Sequence, residues 1–308
     1  MKKILCITPV KHLSGVFELL ESFGTIIYEP NISKDDLRKI LAGADVDAIF
    51  TNPNKQGFIL DASVLKESSV RVINTCSTGT NHIDMDYCLA NGVDVWSLTK
   101  DMKLIIELPS TSELAFALMC SLFRKIDAGF NDVKNGGWDY EPFMGKQIKG
   151  SSIGIIGYGR LGKIMKQFCG SFGMEVHIYD PYEGYHDLDG LLQQSEIISL
   201  HVHVTDETRD MVDESFLARM KKGSYLVNTS RGELVDESAI IDSIDMGHLS
   251  GYATDVIRDE FGDRGSSKLV EYSRDNSNVL ITPHVGGMTW EGQAKAYTWA
   301  VNKFKEEV

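Results

Sequence analysis

"GIIGYGRLGKIMKQFCGSFGMEVHIYD", Gly154 to Asp180, decides the fold. An apolar strand runs into Gly157, Gly159 and Gly162, a helix opens at once, and a second strand closes on an acid. Glycines at that spacing let the backbone turn sharply, approach a pyrophosphate and pack helix on strand, while the helix N-terminus faces the anion. The helix reads as amphipathic, with Leu161, Ile164, Met165, Phe168, Cys169 and Phe172 on one stripe. Asp180 closes the second strand, where an acid accepts hydrogen bonds from a ribose diol and repels a 2′-phosphate. A glycine turn and a strand-end acid facing water are the plain structural alternative. The complete strand, helix and strand around them favour a dinucleotide, NAD rather than NADP.

The same alternation extends in both directions. Upstream, "KKILCIT", "TIIYEP", "VDAIFTN", "VRVINTC" and "VDVWSL" read as strands, with helices predicted over 13–23, 33–44, 61–68 and 82–91. "SKDD" at Ser33 predicts a capping box and Gly92 a helix stop. A long helix opens at "PSTSELAFALMCSLFRKI", with Ser110 or Thr111 as its cap, and a loop follows around "NGGWDYEPFMGKQIKG". Downstream, "EIISLHV", "SYLVNTS", "SGYATDV" and "NVLITP" continue the strands, and 289–307 reads as a closing helix. Strands alternating with helices make parallel sheets covered on both faces. The fold class is α/β, with two doubly wound parallel-sheet lobes.

Composition limits the function. The 308 residues are 43% hydrophobic, enough for two domains, and the formal net charge of −13 disfavours phosphate backbones and anionic lipid. No nucleic acid and no membrane are therefore expected as partners. The five cysteines are scattered without CxxC spacing, as reduced core thiols would be, which predicts a cytoplasmic protein. His201 and His203 in "HVHV" share a strand face, but no third ligand stands at metal-binding spacing, so no metal is expected.

Three later strands end in residues of different chemistry: Arg231 in "LVNTSRGELVDESA", Asp255 and Glu260 in "GYATDVIRDE", and His284 in "TPHVGGMTWEGQ". Singly, each reads as a surface ion pair, a solvated acid or a capping imidazole. In an open parallel sheet, however, the carboxyl ends of the strands border the ligand.

Together with "GIIGYGRLG", these ordered motifs resemble the D-isomer-specific 2-hydroxyacid dehydrogenases, which include phosphoglycerate, glycerate and D-lactate dehydrogenases. The resemblance is dense from 149 to 293 and thinner through "STGTNHID" (77–84). It implies an NAD-dependent oxidoreductase in which Arg231 binds the substrate carboxylate and carbonyl, His284 is the acid/base, and Glu260 hydrogen-bonds His284. The chemistry suits these roles: a guanidinium offers a planar fork, imidazole titrates near neutrality, and a carboxylate stabilises its cation. Thr78 and Gly79 are implied to offer amides to the substrate carboxylate. Gly157, Gly159, Arg160, Leu161, Gly162, Asp180, Thr229, Ser230, Asp255, Gly286 and Gly287 are implied to contact the cofactor. A Rossmann-type cofactor domain, 101–285, is implied to be inserted into a flavodoxin-like substrate domain, 1–100 and 286–308, in a homodimer built through the cofactor domain.

Departures from the family pattern bear on the substrate. The segment between Asp180 and "DGLLQQS" is short, so a strand or an adenine-side loop is expected to be missing. Residues 99–109 are an insertion, read as a lid, a dimer contact or a plain surface excursion. Near Asn52 the lone cation is Lys55, which disfavours a phosphorylated substrate. Phe261, Met288 and Trp290 are bulky and read either as a pocket wall or as core. With the chain ending after its closing helix, no regulatory domain is expected. Two alternatives use the same scaffold: a formate or phosphonate dehydrogenase, of which Glu260 argues against the formate enzyme, and a non-catalytic NAD(H)-sensing protein like the related co-repressors.

Overall fold

The computed structural model describes residues 2–53, 57–258, 260 and 267–306. The expectations placed on Lys55 and Phe261 lie outside the described residues. In chain order the elements are β1 (Lys2–Cys6), α1 (Val16–Glu21), β2 (Gly24–Tyr28), α2 (Lys34–Gly43), β3 (Ala48–Thr51), α3 (Ala62–Leu65), β4 (Val72–Thr75), α4 (Met85–Ala90), β5 (Asp94–Trp96), α5 (Met102–Ile106), α6 (Ser110–Arg124) and α7 (Ile126–Lys134). They continue with β6 (Ser152–Ile156), α8 (Arg160–Ser171), β7 (Glu175–Tyr179), α9 (Leu188–Gln194), β8 (Ile197–Leu200), α10 (Glu214–Arg219), β9 (Ser224–Asn228), α11 (Glu237–Asp245), β10 (Leu249–Thr254), α12 (Lys268–Ser273), β11 (Val279–Ile281) and α13 (Trp290–Glu306).

Two compact units result. One comprises Met1–Leu108 with Met288–Val308, the other Pro109–Gly287. The first break falls at Leu108 instead of at 100, because the 99–109 insertion packs into the first unit. Leu98 and Ile105 join its core, the Asp101 carboxylate accepts from Trp299 Nε1–H at 2.8 Å, and Lys295 pairs with Glu107.

The first unit is a five-stranded parallel sheet ordered β2-β1-β3-β4-β5, a doubly wound arrangement that reverses between β1 and β3. β3 is buried along its whole length, as a central strand covered on both faces must be. Local signals set the helix ends: Ser33 accepts from Asp36 N–H to cap α2, and Gly92 follows α4 at φ 69°. The helices predicted over 13–23 and 82–91 start too early, and the one predicted over 61–68 ends too late. Turns occupy 13–15 and 81–82, Ile83 bridges to Leu60, and Asp84, at the N-cap, fixes where α4 begins.

The second unit is a six-stranded parallel sheet ordered β11-β10-β9-β8-β6-β7, reversing between β6 and β8. β6 and β8 are fully buried, with one core on each face of the sheet. The sheet ends at β7, and the short connection to β8 carries α9 and no further strand. Lys103–Arg124 is apolar enough by composition to cross a membrane. It is broken at 107–109, and α6 lays Ala115, Leu118, Met119, Leu122 and Phe123 into the second unit's core. Neither Ser110 nor Thr111 caps α6; Pro109 holds that position without a side-chain bond. Phe172 is the C-cap of α8 and more than half exposed, resting on Phe116 instead of completing the buried stripe.

Candidate active site

The reversal between β6 and β8 places the glycine loop where an open α/β sheet receives a ligand. Gly157 adopts φ 93°, a left-handed conformation open to glycine without strain. A Cβ on Gly162 would overlap the Gly157 carbonyl oxygen, so α8 starts directly against the loop. Arg160 and Leu161 open that helix, and Ser112 Oγ–H on α6 donates to Leu161 O at 3.0 Å, holding the turn from behind.

Asp180 performs two local tasks. Its Oδ2 accepts from Tyr158 N–H in the glycine loop at 2.7 Å, and its Oδ1 accepts from Tyr182 and Glu183 N–H. Each carboxylate oxygen has two lone-pair sites, so Oδ2 keeps one acceptor site open.

β8 to β11 deliver the remaining groups along the same edge. After β9, Asn228 shapes the turn: its Oδ1 accepts from Ser230 N–H and its Nδ2 donates to Arg231 O. Ser230 Oγ–H reaches back to Leu200 O at 2.8 Å. Arg231 is half-buried and its Nη1 donates to Ser230 O. Gly232 follows because a Cβ there would overlap the backbone at Ile257 and Arg258, the segment leading to Glu260.

After β10, Asp255 is 2% exposed. Its carboxylate accepts from Thr282 Oγ1–H at 2.5 Å, Val285 N–H at 2.8 Å and Gly286 N–H at 2.7 Å. Burial holds its carboxyl above the usual carboxylate range, against the pull of those three donors. After β11, His284 sits at φ 54°, one of three non-glycine residues with positive φ among the described residues. Its N–H donates to Asp255 O, and its Nδ1 lies 2.7 Å from Glu260 Oε2. The glutamate side chain is 15% exposed and the imidazole 38%, so the pair has a dry side and an open one.

Thr78 and Gly79 belong to the first unit, on the loop after β4. Ser77 pins that loop, its Oγ meeting Thr75 Oγ1 and donating to Gly79 O. Asn228 and Thr282 were missed in the sequence. The available signals were a polar residue ending a buried strand and a threonine two positions before the histidine. His201 is paired with Ser199 Oγ at 2.9 Å, and burial pushes its imidazole down to about 4.

The residues of this edge fit a dinucleotide. Nothing lies within 4 Å of a Cβ placed on Gly159, α8 begins without a side-chain cap, and the buried Thr229 hydroxyl has no protein partner. An uncapped helix N-terminus attracts a pyrophosphate, and an orphaned hydroxyl is satisfied by a bound polar group. The fold and this edge define a Rossmann-type dinucleotide-binding unit.

Residues 116–286 match the model of the D-isomer specific 2-hydroxyacid dehydrogenase, NAD binding domain. The chain belongs to that family, and its cofactor is NAD. A hydroxypyruvate reductase of Thermotoga maritima is 31% identical, over 90% of this chain and 89% of its own length. A D-3-phosphoglycerate dehydrogenase of Bacillus subtilis is 31% identical over 74% of this chain, which spans 43% of that longer protein. Among solved structures, the D-lactate dehydrogenase of Aquifex aeolicus, complexed with NAD and lactic acid, has a TM-score of 0.79 and 26% identity, covering 99% of this chain and 95% of its own.

Proposed function

We propose that the protein interconverts a D-2-hydroxy acid and its 2-oxo acid. The observation that carries this reading is the His284–Glu260 pair at 2.7 Å, set on the same sheet edge as Arg231. β9 and β11 stand two strand spacings apart, about 10 Å, the scale of a small 2-oxo acid with its hydrogen bonds.

NAD, when bound, supplies the hydride chemistry. With Nδ1–H donating to Glu260, Nε2 of neutral His284 is the free base. In the oxidative direction Nε2 takes the proton of the C2 hydroxyl, and in reduction the imidazolium returns it. Glu260 holds the tautomer and faces the charge that develops. Arg231 offers its fork to the carboxylate and the C2 oxygen, favouring the polarised carbonyl. The family resemblance adds the amides of Thr78 and Gly79 as carboxylate partners. Gly159, Arg160, Leu161 and Gly162 hold the pyrophosphate, Asp180 the ribose, and Thr229, Ser230, Gly286 and Gly287 the nicotinamide half.

Purified protein mixed with NADH and glyoxylate, hydroxypyruvate, pyruvate, a bulky 2-oxo acid and a phosphorylated one tests this, with NADPH as control. Oxidation of NADH with one class, abolished in Arg231→Gln, is expected. Tight NADH binding with no turnover of any member overturns it in favour of a sensing role.

A homodimer is part of the proposal. On α7, Ile126, Phe130 and Val133 form one apolar stripe, each at least half exposed, and Trp138, Tyr140 and Met144 follow it. None of α7 is buried, and contiguous exposed apolar surface of this kind marks an interface. The five cysteines are free thiols, four of them buried, which supports the cytoplasm as location.

A further inference from the structure

Glu260 is useful only where it meets His284, and the chain reaches it from β10 by way of Arg258. The backbone of that stretch is hemmed in before any side chain acts. A Cβ on Gly232 would overlap Ile257 and Arg258, so the turn that carries Arg231 lies directly against it. Hard contact sets the closest approach of two segments, and hydrogen bonds hold them there.

Arg258 supplies those bonds from both its main chain and its side chain. Its backbone N–H donates to Oε1 of Glu237, the first residue of α11, at 2.8 Å. Its Nη2 donates to Val235 O at 2.9 Å and to the Asp210 carboxylate. A guanidinium nitrogen of this kind carries two hydrogens in a fixed plane, one for each acceptor. The acceptors are themselves held: Val235 is buried and bridges to Val212, and Asp210, at φ 53°, donates its N–H to Glu233 O at 2.9 Å. With the arginine side chain 34% and the aspartate 47% exposed, the ion pair stabilises little by charge. What it supplies is placement.

We infer that Arg258 is a positioning residue for the acid/base pair: it docks the loop after β10 on residues 232–237, which sets Glu260 against His284 Nδ1 and fixes that pair relative to Arg231. The role is exercised through Glu260. Its kinetic consequence rests on the proposed dehydrogenase reading, and its structural consequence on the hydrogen bonds alone.

Arg258→Met keeps an apolar stem and removes the guanidinium. Glu237→Ala removes the acceptor of the Arg258 amide, and Glu237→Gln keeps one. Each variant is compared with the unaltered protein in kcat at saturating NADH, in NADH Kd by fluorescence titration, and in the His284 ring signals by NMR. Arg258→Met is also made in a Glu260→Gln background. Alone, it is expected to lower kcat by about tenfold to a hundredfold, the cost of displacing a catalytic group from outside the site. NADH Kd is expected to move less than about threefold, since no ground-state contact to NADH changes. In the Glu260→Gln background the further loss is expected to be less than about threefold, because residues that act as a unit are not additive. Glu237→Ala is expected to lower kcat in the same direction and Glu237→Gln to restore most of it. The His284 ring signals shift in Arg258→Met and in Glu237→Ala.

Full kcat in a folded Arg258→Met overturns the inference. Losses that multiply in the double variant overturn it too, since they make Arg258 a structural residue independent of Glu260. Should Arg258→Met fail to fold, the two Glu237 variants decide by the same readouts, and full kcat in Glu237→Ala is then the refuting result. Should the unaltered protein turn over no 2-oxo acid, the dehydrogenase reading fails and the His284 signals decide alone: unchanged signals in Arg258→Met and Glu237→Ala overturn the structural claim.

Discussion

Lowering the pH from 7 to 4 should unfold this protein through His201 more than through any exposed histidine. The imidazole lies at the end of β8, its Nε2 paired with Ser199 Oγ and its Nδ1 buried without a partner. Burial lowers its pKa from 6.5 to about 4. A depressed histidine is neutral in the folded chain while the unfolded chain binds the proton, so the stability it contributes is complete above pH 6.5 and lost as the pH falls toward 4. The gap between the two values corresponds to roughly 3 kcal/mol in full, of which about 2 kcal/mol is gone by pH 5. Against total stabilities of about 5 to 15 kcal/mol, that is a large fraction. Urea unfolding at half-unit steps from pH 7.5 to 4.5, in the unaltered protein and in His201→Gln, isolates the contribution. Glutamine accepts or donates to Ser199 and cannot titrate, so the variant's stability should fall with a shallower slope. Parallel pH profiles for the two proteins would refute the assignment of a buried, neutral His201.

His284→Gln should lower kcat by about 10² to 10⁴, the usual worth of a positioned acid/base, and Glu260→Gln by less, with a displaced pH–rate profile; full turnover in His284→Gln removes the mechanism. Gly162→Ala forces a methyl onto the Gly157 carbonyl, so NADH binding measured by fluorescence should be lost, with destabilisation of about 1 to 3 kcal/mol typical of overpacking. Reduction of the oxo acid consumes a proton and oxidation releases one, so the reductive rate should fall and the oxidative rate rise as the pH is raised, followed by NADH absorbance in each direction. Phe130→Glu places a charge in the exposed stripe of α7 and should turn a dimer into a monomer in sedimentation velocity; an unchanged mass places the interface elsewhere.

The cofactor unit was legible because its signals are local. Gly154 to Asp180 contains strand, turn, helix and strand within a single stretch, and Gly157 and Gly162 answer backbone demands there. His284 and Glu260 were singled out through the family resemblance of their motifs, since a lone imidazole is more often a satisfied core or capping group, and the structure sets the two 2.7 Å apart. What stayed hidden depends on contacts distant in sequence. The Asp255 clamp on residues 282 to 286 spans about thirty positions, and no periodicity reports a carboxylate spent on another loop's amides. The break at Leu108 was missed for the same reason: Asp101 and Glu107 find Trp299 and Lys295 on α13, and pairing across nearly two hundred residues has no local signature. Helix starts were misplaced where capping aspartates outweigh apolar periodicity, as at Asp84.

Asp180 gives a warning to anyone seeking to redirect the cofactor preference. Replacing the acid proposed to bind the ribose with a small or basic residue is the obvious route to admitting a 2′-phosphate. Here the same carboxylate ties down the glycine loop through Tyr158 and begins the turn that closes the sheet after β7. A swap at this position forfeits a charge-assisted loop clamp and a turn cap together, on the order of 1 to 3 kcal/mol. Altering preference would therefore have to start from a compensated scaffold, with the Tyr158 amide given a new acceptor before the acid is removed.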